Sequence, residues 1–150
     1  MDKHAKILVV DDDENIRNTM KAILEDEGYI VDLAATGSEA IQKTKKTAYN
    51  VALLDIRLPD MEGVELLKLI KDTVPPIRKI MVTGYPSMQN AIAALNKSAD
   101  AYLVKPIDIE NLLSTVEEQL RIQRNEKEFS ELKVAEFIET RVKELSLSEP

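Results

Sequence analysis

Five residues with reactive side chains each stand at the end of a short apolar run in the sequence. They are Asp11, Asp12, Asp55, Thr83 and Lys105. Because the carboxyl ends of parallel strands meet at one edge of a sheet, we expect these side chains to lie close together. Three neighbouring carboxylates repel one another and need a counter-charge. A divalent cation supplies it, and octahedral Mg2+ suits carboxylates, a backbone carbonyl and waters as ligands.

Asp55 is the residue on which this chemistry centres, and three roles are open to it: helix cap, metal ligand or nucleophile. An aspartate carboxylate can attack phosphorus and form an aspartyl phosphate. The ammonium of Lys105 and the hydroxyl of Thr83 suit a phosphoryl group, because they offset charge on its oxygens during in-line transfer. The residue types therefore favour a phosphoryl-transfer site and leave the role of Asp55 open.

The elements that position these residues follow from the hydrophobic pattern. Apolar runs predict five strands, at 7–10, 29–34, 51–54, 77–82 and 101–104. Apolar residues at helical spacing predict a helix after each strand, beginning at Asp13, Thr36, Glu62, Ser87 and Asp108. Since crossovers between parallel strands are helical, the predicted fold class is α/β, a doubly wound five-stranded parallel sheet with helices on both faces.

Composition and charge narrow the class of protein. The 150 residues suit one domain with an appendage. A formal net charge of −7 argues against nucleic acid as the main partner, since phosphate binding needs a basic surface. The absence of cysteine excludes thiolate metal sites and is compatible with a cytoplasmic location. We expect no membrane partner, because no apolar run reaches the ~20 residues that span a bilayer and no signal peptide is recognisable.

Four motifs lie at the ends of predicted strands: ILVVDDD at 7–13, LLDIRLPDMEG at 53–63, VTG at 82–84 and YLVKP at 102–106. Together they resemble the receiver domain of two-component response regulators, of the chemotaxis-regulator type. The resemblance covers about residues 5–122, with the motifs in the family's order and spacing. It implies a flavodoxin-like sheet with strand order 2-1-3-4-5.

The same resemblance implies a role for each residue at the sheet edge. Asp55 would be the phosphoacceptor, and Thr83 and Lys105 would bind phosphoryl oxygens. The ligands of Mg2+, for which Mn2+ can substitute, would be Asp11, Asp12, Asp55 and the backbone carbonyl of Arg57. The Lys105–Pro106 peptide bond would be cis, which an X-Pro bond permits at low cost.

Switching and tuning residues are also implied by the resemblance. Once Thr83 moves toward the phosphate, Tyr102 would turn inward and remodel the face formed by the fourth helix, the fifth strand and the fifth helix. Arg57 and Tyr85 would flank the site and tune dephosphorylation, and Gly84 would leave room for a phosphoryl donor.

The implied function is that of a phosphoacceptor response regulator, a regulatory domain rather than an enzyme. It would receive phosphate from a sensor histidine kinase and signal to a downstream protein through the switched face. The alternatives are a phosphorelay intermediate and a receiver fragment of a larger regulator. A flavodoxin-type nucleotide binder is disfavoured because the acidic run that begins at Asp11 would repel phosphate. A haloacid dehalogenase-type phosphatase is disfavoured because Arg57 stands where its second aspartate is needed.

A tail at 123–150 follows the domain predicted over 1–122. Its first six residues are polar, and apolar side chains then recur at helical spacing, at Phe129, Leu132, Ala135, Ile138, Val142 and Leu145. The 3-4-3 spacing of the last four suits a helix seam. Three interpretations are open. The tail extends the fifth helix and pairs with a second copy as a homodimer, it folds back on the domain or binds a partner, or it is the linker of a longer regulator.

Overall fold

Five parallel strands form one sheet at the centre of the protein, which is described by a computed structural model over residues 4–70, 73, 75–84 and 99–148. The strands are β1 (Lys6–Val10), β2 (Ile30–Ala34), β3 (Val51–Asp55), β4 (Arg78–Thr83) and β5 (Ala101–Val104). Their order is β2-β1-β3-β4-β5, and every neighbouring pair is parallel. The predicted flavodoxin-like sheet is therefore confirmed.

Four helices lie in the described part of the chain: α1 (Glu14–Asp26), α2 (Gly37–Lys46), α3 (Gly63–Leu69) and α4 (Ile109–Ser148). The spacing of apolar residues predicts that the third helix runs from Glu62 to residue 72, but α3 ends at Leu69. Ile70 has extended backbone and a side chain that is buried in the core. The helix predicted after Ser87 lies outside the described residues, as does Tyr85. Within the described residues, no helix has both the length and the hydropathy of a membrane span.

Local capping explains where the helices start and stop. The Asp13 carboxylate accepts hydrogen bonds from the amides of Asn15 at 2.8 Å and Ile16 at 3.2 Å, so it caps α1 as predicted. Thr36 caps α2 with its hydroxyl. After α1 the chain turns through Gly28, whose φ of 95° lies in the left-handed region that favours glycine.

Helices cover both faces of the sheet, as expected for a doubly wound fold. One core layer is formed by α2 and α3, with Ala40, Leu66 and Leu67 packed against Leu8 and Leu54. The other is formed by α1 and α4, with Met20, Leu24, Leu112 and Val116 packed against Val9 and Leu53. Since both faces are covered, the strands are apolar on both sides, and polar chemistry is left to the strand ends.

Gln123 fixes α4 to the amino-terminal edge of the sheet. Its side chain is 5% exposed and donates hydrogen bonds to the carbonyl oxygens of Asn50 at 3.0 Å and Pro76 at 2.9 Å. The side-chain Nδ2 of Asn50 donates back to Gln123 Oε1 at 2.9 Å. These bonds attach the helix to the residues that precede β3 and β4.

Arg78, the first residue of β4, adds a second attachment for α4. Its Nε donates to Gln119 Oε1 at 2.8 Å, and its Nη1 lies 3.1 Å from Glu126 Oε1. Contacts between α4 and the sheet edge therefore extend to Glu126, past the predicted domain end at 122. Residues 127–146, beyond this point, are all exposed, and α4 runs through them as a single helix of 40 residues. The predicted C-terminal helical extension is confirmed.

Candidate functional site

The carboxyl ends of four strands bring the predicted site residues to one edge of the sheet. Asp11 follows β1, Asp55 ends β3, Thr83 ends β4 and Lys105 follows β5. The backbone amide of Lys105 donates to the Thr83 carbonyl at 2.7 Å, which continues the β4–β5 ladder one residue further. The parallel register alone thus gathers residues that are up to 94 positions apart in the chain.

Lys105 joins two of the carboxylates. Its Nζ lies 2.8 Å from Asp11 Oδ2 and 3.4 Å from Asp55 Oδ2. Burial lowers the pKa of Lys105, but the hydrogen bond and charge of Asp11 and the charge of Asp55 outweigh it, so the pKa lies above its usual value. Lys105 therefore stays an ammonium ion at neutral pH.

The positive charge of Lys105 does not fully offset the factors that disfavour ionisation of the Asp55 carboxylate. Burial, and next the negative charge of Asp11, raise its pKa above the usual value. The charge of Lys105 and the Arg57 amide, which donates to Asp55 Oδ1 at 3.4 Å, act in the opposite direction and do not cancel the rise. A second cation at this edge would favour the ionised form of Asp55.

An acidic cluster that could hold such a cation is formed by Asp11, Asp12 and Asp55. One carboxylate oxygen from each lies within 4.8 Å of the others, and three hard oxygen donors suit a divalent cation. Asp11 is held in place, since the Asp13 amide donates to its Oδ1 at 2.9 Å and Arg17 Nη1 donates to its carbonyl at 2.7 Å. The role of Arg17 had no signal in the sequence.

The loop after β3 is a closed hairpin that carries Arg57, the predicted carbonyl ligand. Arg57 and Glu62 form an antiparallel bridge, and the Leu58 amide donates to the Met61 carbonyl at 3.1 Å. The Gly63 amide closes the base of the hairpin by donating to the Ile56 carbonyl at 2.6 Å. The backbone that would present the Arg57 carbonyl is thus fixed by two hydrogen bonds, which together make up the Arg57–Glu62 bridge.

The predicted switch residues lie at the other side of the edge. Thr83 is 1% exposed at the end of β4. Tyr102 is half-buried in β5, packs against the α2–α3 core layer, and has a buried hydroxyl that finds no hydrogen-bond partner in the described part of the chain. The Lys105–Pro106 peptide bond is cis, and Gly84 is exposed beside Lys105.

Comparison with known proteins assigns the family. The model of the response regulator receiver domain matches residues 7–117. The chain belongs to this family. The receiver is 39% identical over 132 residues to the transcriptional regulatory protein ZraR of Klebsiella oxytoca, a match that covers 87% of the chain and 30% of ZraR. The chain thus spans about a third of the length of that curated relative.

Solved structures agree with the family. The receiver is similar to a CheY-like response regulator receiver domain protein from Methanospirillum hungatei JF-1, with a TM-score of 0.78, 47% identity and coverage of 82% of this chain and 98% of that one. It is also similar to the beryllofluoride-activated NtrC4 receiver domain, which was solved as a dimer, with a TM-score of 0.74, 38% identity and coverage of 79% and 98%. The recognition of a receiver domain from four sequence motifs is confirmed.

Proposed function

We propose that this receiver domain is a phosphoacceptor response regulator, phosphorylated on Asp55 by the phosphohistidine of a sensor histidine kinase in the cytoplasm. The observation that carries the proposal is the position of the Lys105 ammonium, 2.8 Å from Asp11 and 3.4 Å from Asp55, beside a three-carboxylate cluster. Transfer of a phosphoryl group to a carboxylate requires a nucleophile, a fixed positive charge and a site for a divalent cation. Asp55, Lys105 and the acidic cluster would supply them.

The transfer is a single displacement at phosphorus. A carboxylate oxygen of Asp55 forms the new P–O bond while the P–N bond to the donor imidazole breaks, and the nitrogen keeps the bonding electron pair. Lys105, with its pKa raised, offsets charge on the phosphoryl oxygens. Mg2+ held by Asp11, Asp12, Asp55 and the Arg57 carbonyl would supply further neutralisation of the carboxylates and of the phosphoryl group. The chain would turn over no other substrate.

The signal would leave through the β5 side of the domain. Thr83 would shift toward the phosphoryl group, and the half-buried ring of Tyr102 would change its packing in response. The buried hydroxyl of Tyr102 has no partner among the described residues, which supports this role, because a buried polar group without a partner costs free energy and favours rearrangement. The predicted tuning pair Arg57 and Tyr85 would set the rate at which the phosphoryl group is lost to water.

Labelling with two small donors tests the phosphoacceptor. Acetyl phosphate and phosphoramidate, which has the P–N bond of a phosphohistidine, should each add one phosphoryl group in the presence of Mg2+, measured by intact mass. Asp55→Asn should remain unlabelled. Asp13→Asn is the matched control, because asparagine caps a helix equally well and Asp13 lies outside the cluster. Labelling of Asp55→Asn, or undiminished labelling in EDTA, would contradict the proposal.

The exposed stripe of α4 favours a second copy of this chain as one partner. Ile138 and Val142 are each 56% exposed and Leu145 is 60% exposed, on the part of α4 that lies beyond its hydrogen bonds to the sheet edge. The 3-4-3 spacing that begins at Ala135 forms a helix seam, and the similar NtrC4 receiver was solved as a dimer. We propose that two copies pair along this stripe.

Light scattering tests the pairing. The full chain should have twice its monomer mass, whereas the fragment 1–127, which keeps the contacts of Gln123 and Glu126, should have the mass of its own monomer. Ile138→Glu should separate the dimer. Thr140→Glu, which adds the same charge about 200° away around the helix, should leave it intact. A monomeric full chain, with and without beryllofluoride, would remove this proposal while leaving Asp55 chemistry untouched.

A further inference from the structure

The tip of the hairpin after β3 is bound to a helix from another part of the chain. Asp60 Oδ1 accepts a hydrogen bond from the Gly37 amide at 2.9 Å, and Asp60 Oδ2 accepts one from the Ser38 amide at 2.9 Å. These are the first two amides of α2, which have no partner within the helix. The two bonds hold the pKa of Asp60 below its usual value, so the charged form is the one that binds.

A second contact fixes the tip from the side. Met61 packs against the α2–α3 core layer and lies so close to Gly37 that a Cβ there would be 2.4 Å from the Met61 sulfur. Asp60 and Met61 therefore bind the same turn of α2, one by hydrogen bonds and the other by packing. The tip cannot shift without breaking both contacts.

The stem of the same hairpin leads to the acidic cluster. Arg57 pairs with Glu62 across the hairpin, and its amide donates to Asp55 Oδ1 at 3.4 Å. A hairpin held at its tip and paired along its stem has little freedom at Arg57. Displacement of the tip would therefore move the Arg57 backbone, whose carbonyl oxygen is a predicted ligand of the cation.

We propose that Asp60 is a positioning residue for the divalent cation: by binding the first turn of α2 it holds the hairpin in the geometry that presents the Arg57 carbonyl. This inference rests on the proposed function, since it takes the Arg57 carbonyl as a ligand. Asp60 itself does not touch the cation, and it is absent from the three-carboxylate cluster. Its effect is that of an outer partner that orients a ligand.

A purely structural role as a helix cap can be separated from this one within the same helix. α2 has its own cap, because Thr36 Oγ1 accepts from the Glu39 amide at 3.1 Å. Thr36→Ala removes a cap from α2 and leaves the hairpin bonds in place, whereas Asp60→Ala removes bonds to α2 and frees the hairpin. Both variants should lower the melting temperature, and only the second should alter the cation site.

The test is direct Mn2+ binding, measured by the electron paramagnetic resonance signal of free Mn2+ with the unphosphorylated full chain. Asp60→Ala should weaken binding on the order of tenfold, as loss of outer partners of metal ligands does. Asp60→Asn keeps one acceptor oxygen and should give a smaller loss. Thr36→Ala should stay within about twofold of the wild type, since no ligand or hairpin bond changes. Circular dichroism at the measurement temperature establishes whether each variant is folded. If Asp60→Ala is unfolded, the comparison is made with Asp60→Asn.

Three outcomes would overturn parts of the proposal separately. Unchanged Mn2+ affinity in both Asp60 variants would remove the positioning role and leave the proposed function intact. Equal weakening in Asp60→Ala and Thr36→Ala would assign the effect to helix stability alone. Failure of the wild type to bind Mn2+, or unchanged binding by Asp12→Asn, would remove the cation site itself and the positioning role with it.

Discussion

Gly63 lies against the backbone of Asp55, so that a Cβ atom at position 63 would be 2.0 Å from the Asp55 carbonyl oxygen. Real Cβ atoms do not approach backbone oxygen this closely, and a backbone neighbour cannot rotate away as a side chain can. The contact arises because the Gly63 amide closes the hairpin onto Ile56 at 2.6 Å, one residue past Asp55. Any side chain at position 63 must therefore push the hairpin away from the backbone of Asp55, the proposed phosphoacceptor.

Gly63→Ala should therefore damage both stability and chemistry. We expect the free energy of unfolding to fall by roughly 1–3 kcal/mol, the usual effect of overpacking a rigid site. Labelling by acetyl phosphate should fall at least about tenfold, because a displacement near 1 Å at a reacting group has effects of this size or larger. Urea denaturation and the initial rate of labelling are the two measurements.

Gly84→Ala is the matched control for that substitution. Among the described residues, a Cβ at Gly84 would meet the Lys105 side chain alone, at 3.7 Å, which is ordinary van der Waals contact. Its stability should match the wild type within about 0.5 kcal/mol. If Gly63→Ala were as stable as Gly84→Ala, the close approach between position 63 and the Asp55 carbonyl would be relieved at little cost in free energy.

Lys105→Met should make folding depend on added cation. The substitution keeps an apolar stem of similar length but leaves Asp11, which is 1% exposed, without its ammonium partner. In EDTA we expect a loss of roughly 1–3 kcal/mol, discounted from a fully buried pair because Lys105 is partly exposed. Mg2+ should restore more stability to the variant than it adds to the wild type.

Lys68→Met, which removes a charge from an exposed position of α3, should show neither effect in urea denaturation with and without Mg2+. A Lys105 variant as stable as the wild type in EDTA would mean that Asp11 does not depend on the ammonium.

Acid should abolish the stabilising effect of Asp60. The folded-state pKa of Asp60 is lowered by its bonds to the Gly37 and Ser38 amides, so its contribution is fully present above the unfolded value of about 3.9. The contribution is lost as the pH falls through the lower folded pKa. In EDTA, Asp60→Asn should thus melt below the wild type at pH 7, and the difference should shrink steadily as the pH falls below 4. A difference that is constant with pH would show that charge is irrelevant to these bonds.

Gln123→Ala should destabilise the domain although it lies at the opposite edge of the sheet from the proposed phosphoacceptor. It removes two donated hydrogen bonds and one accepted bond at a residue that is 5% exposed. We expect a loss of about 1–3 kcal/mol, since buried partners are left unsatisfied. Asn125→Ala, two residues away and exposed, should stay within about 0.5 kcal/mol of the wild type in urea. A fragment ending at 122 should likewise be less stable than one ending at 127.

Local patterns predicted the strands and helices of the described residues and the sheet edge at which the acidic cluster forms. Asp13 as a cap, Val51 to Leu54 as a buried strand and Asp55 at its end follow from residue types within a few positions. The convergence of Asp11, Asp55 and Lys105 follows from parallel topology, which the strand-helix alternation fixes.

Interactions over long sequence separations were beyond that reach. From its neighbours Leu58 and Pro59, Asp60 is expected to be a turn residue. It lies in that bend, but its side chain accepts hydrogen bonds from the amides of Gly37 and Ser38, 23 and 22 residues away. Gln119 and Gln123 have the composition of an exposed helix face. They are buried because α4 crosses strand ends that need polar partners, a fact of tertiary packing rather than of helical period.

α4 runs without interruption from Ile109 to Ser148. The position of a residue in its far end therefore fixes both the distance of its side chain from the domain and the direction in which it points around the helix axis. Each residue of a helix rotates this direction by about 100° and adds about 1.5 Å to the distance along the axis. One residue inserted after Lys127 would point the Ile138–Leu145 stripe in a different direction, whereas seven would move it about 10 Å outward with a change of only about 20°. Whether a partner can contact this stripe therefore depends on the number of residues between the stripe and Gln123.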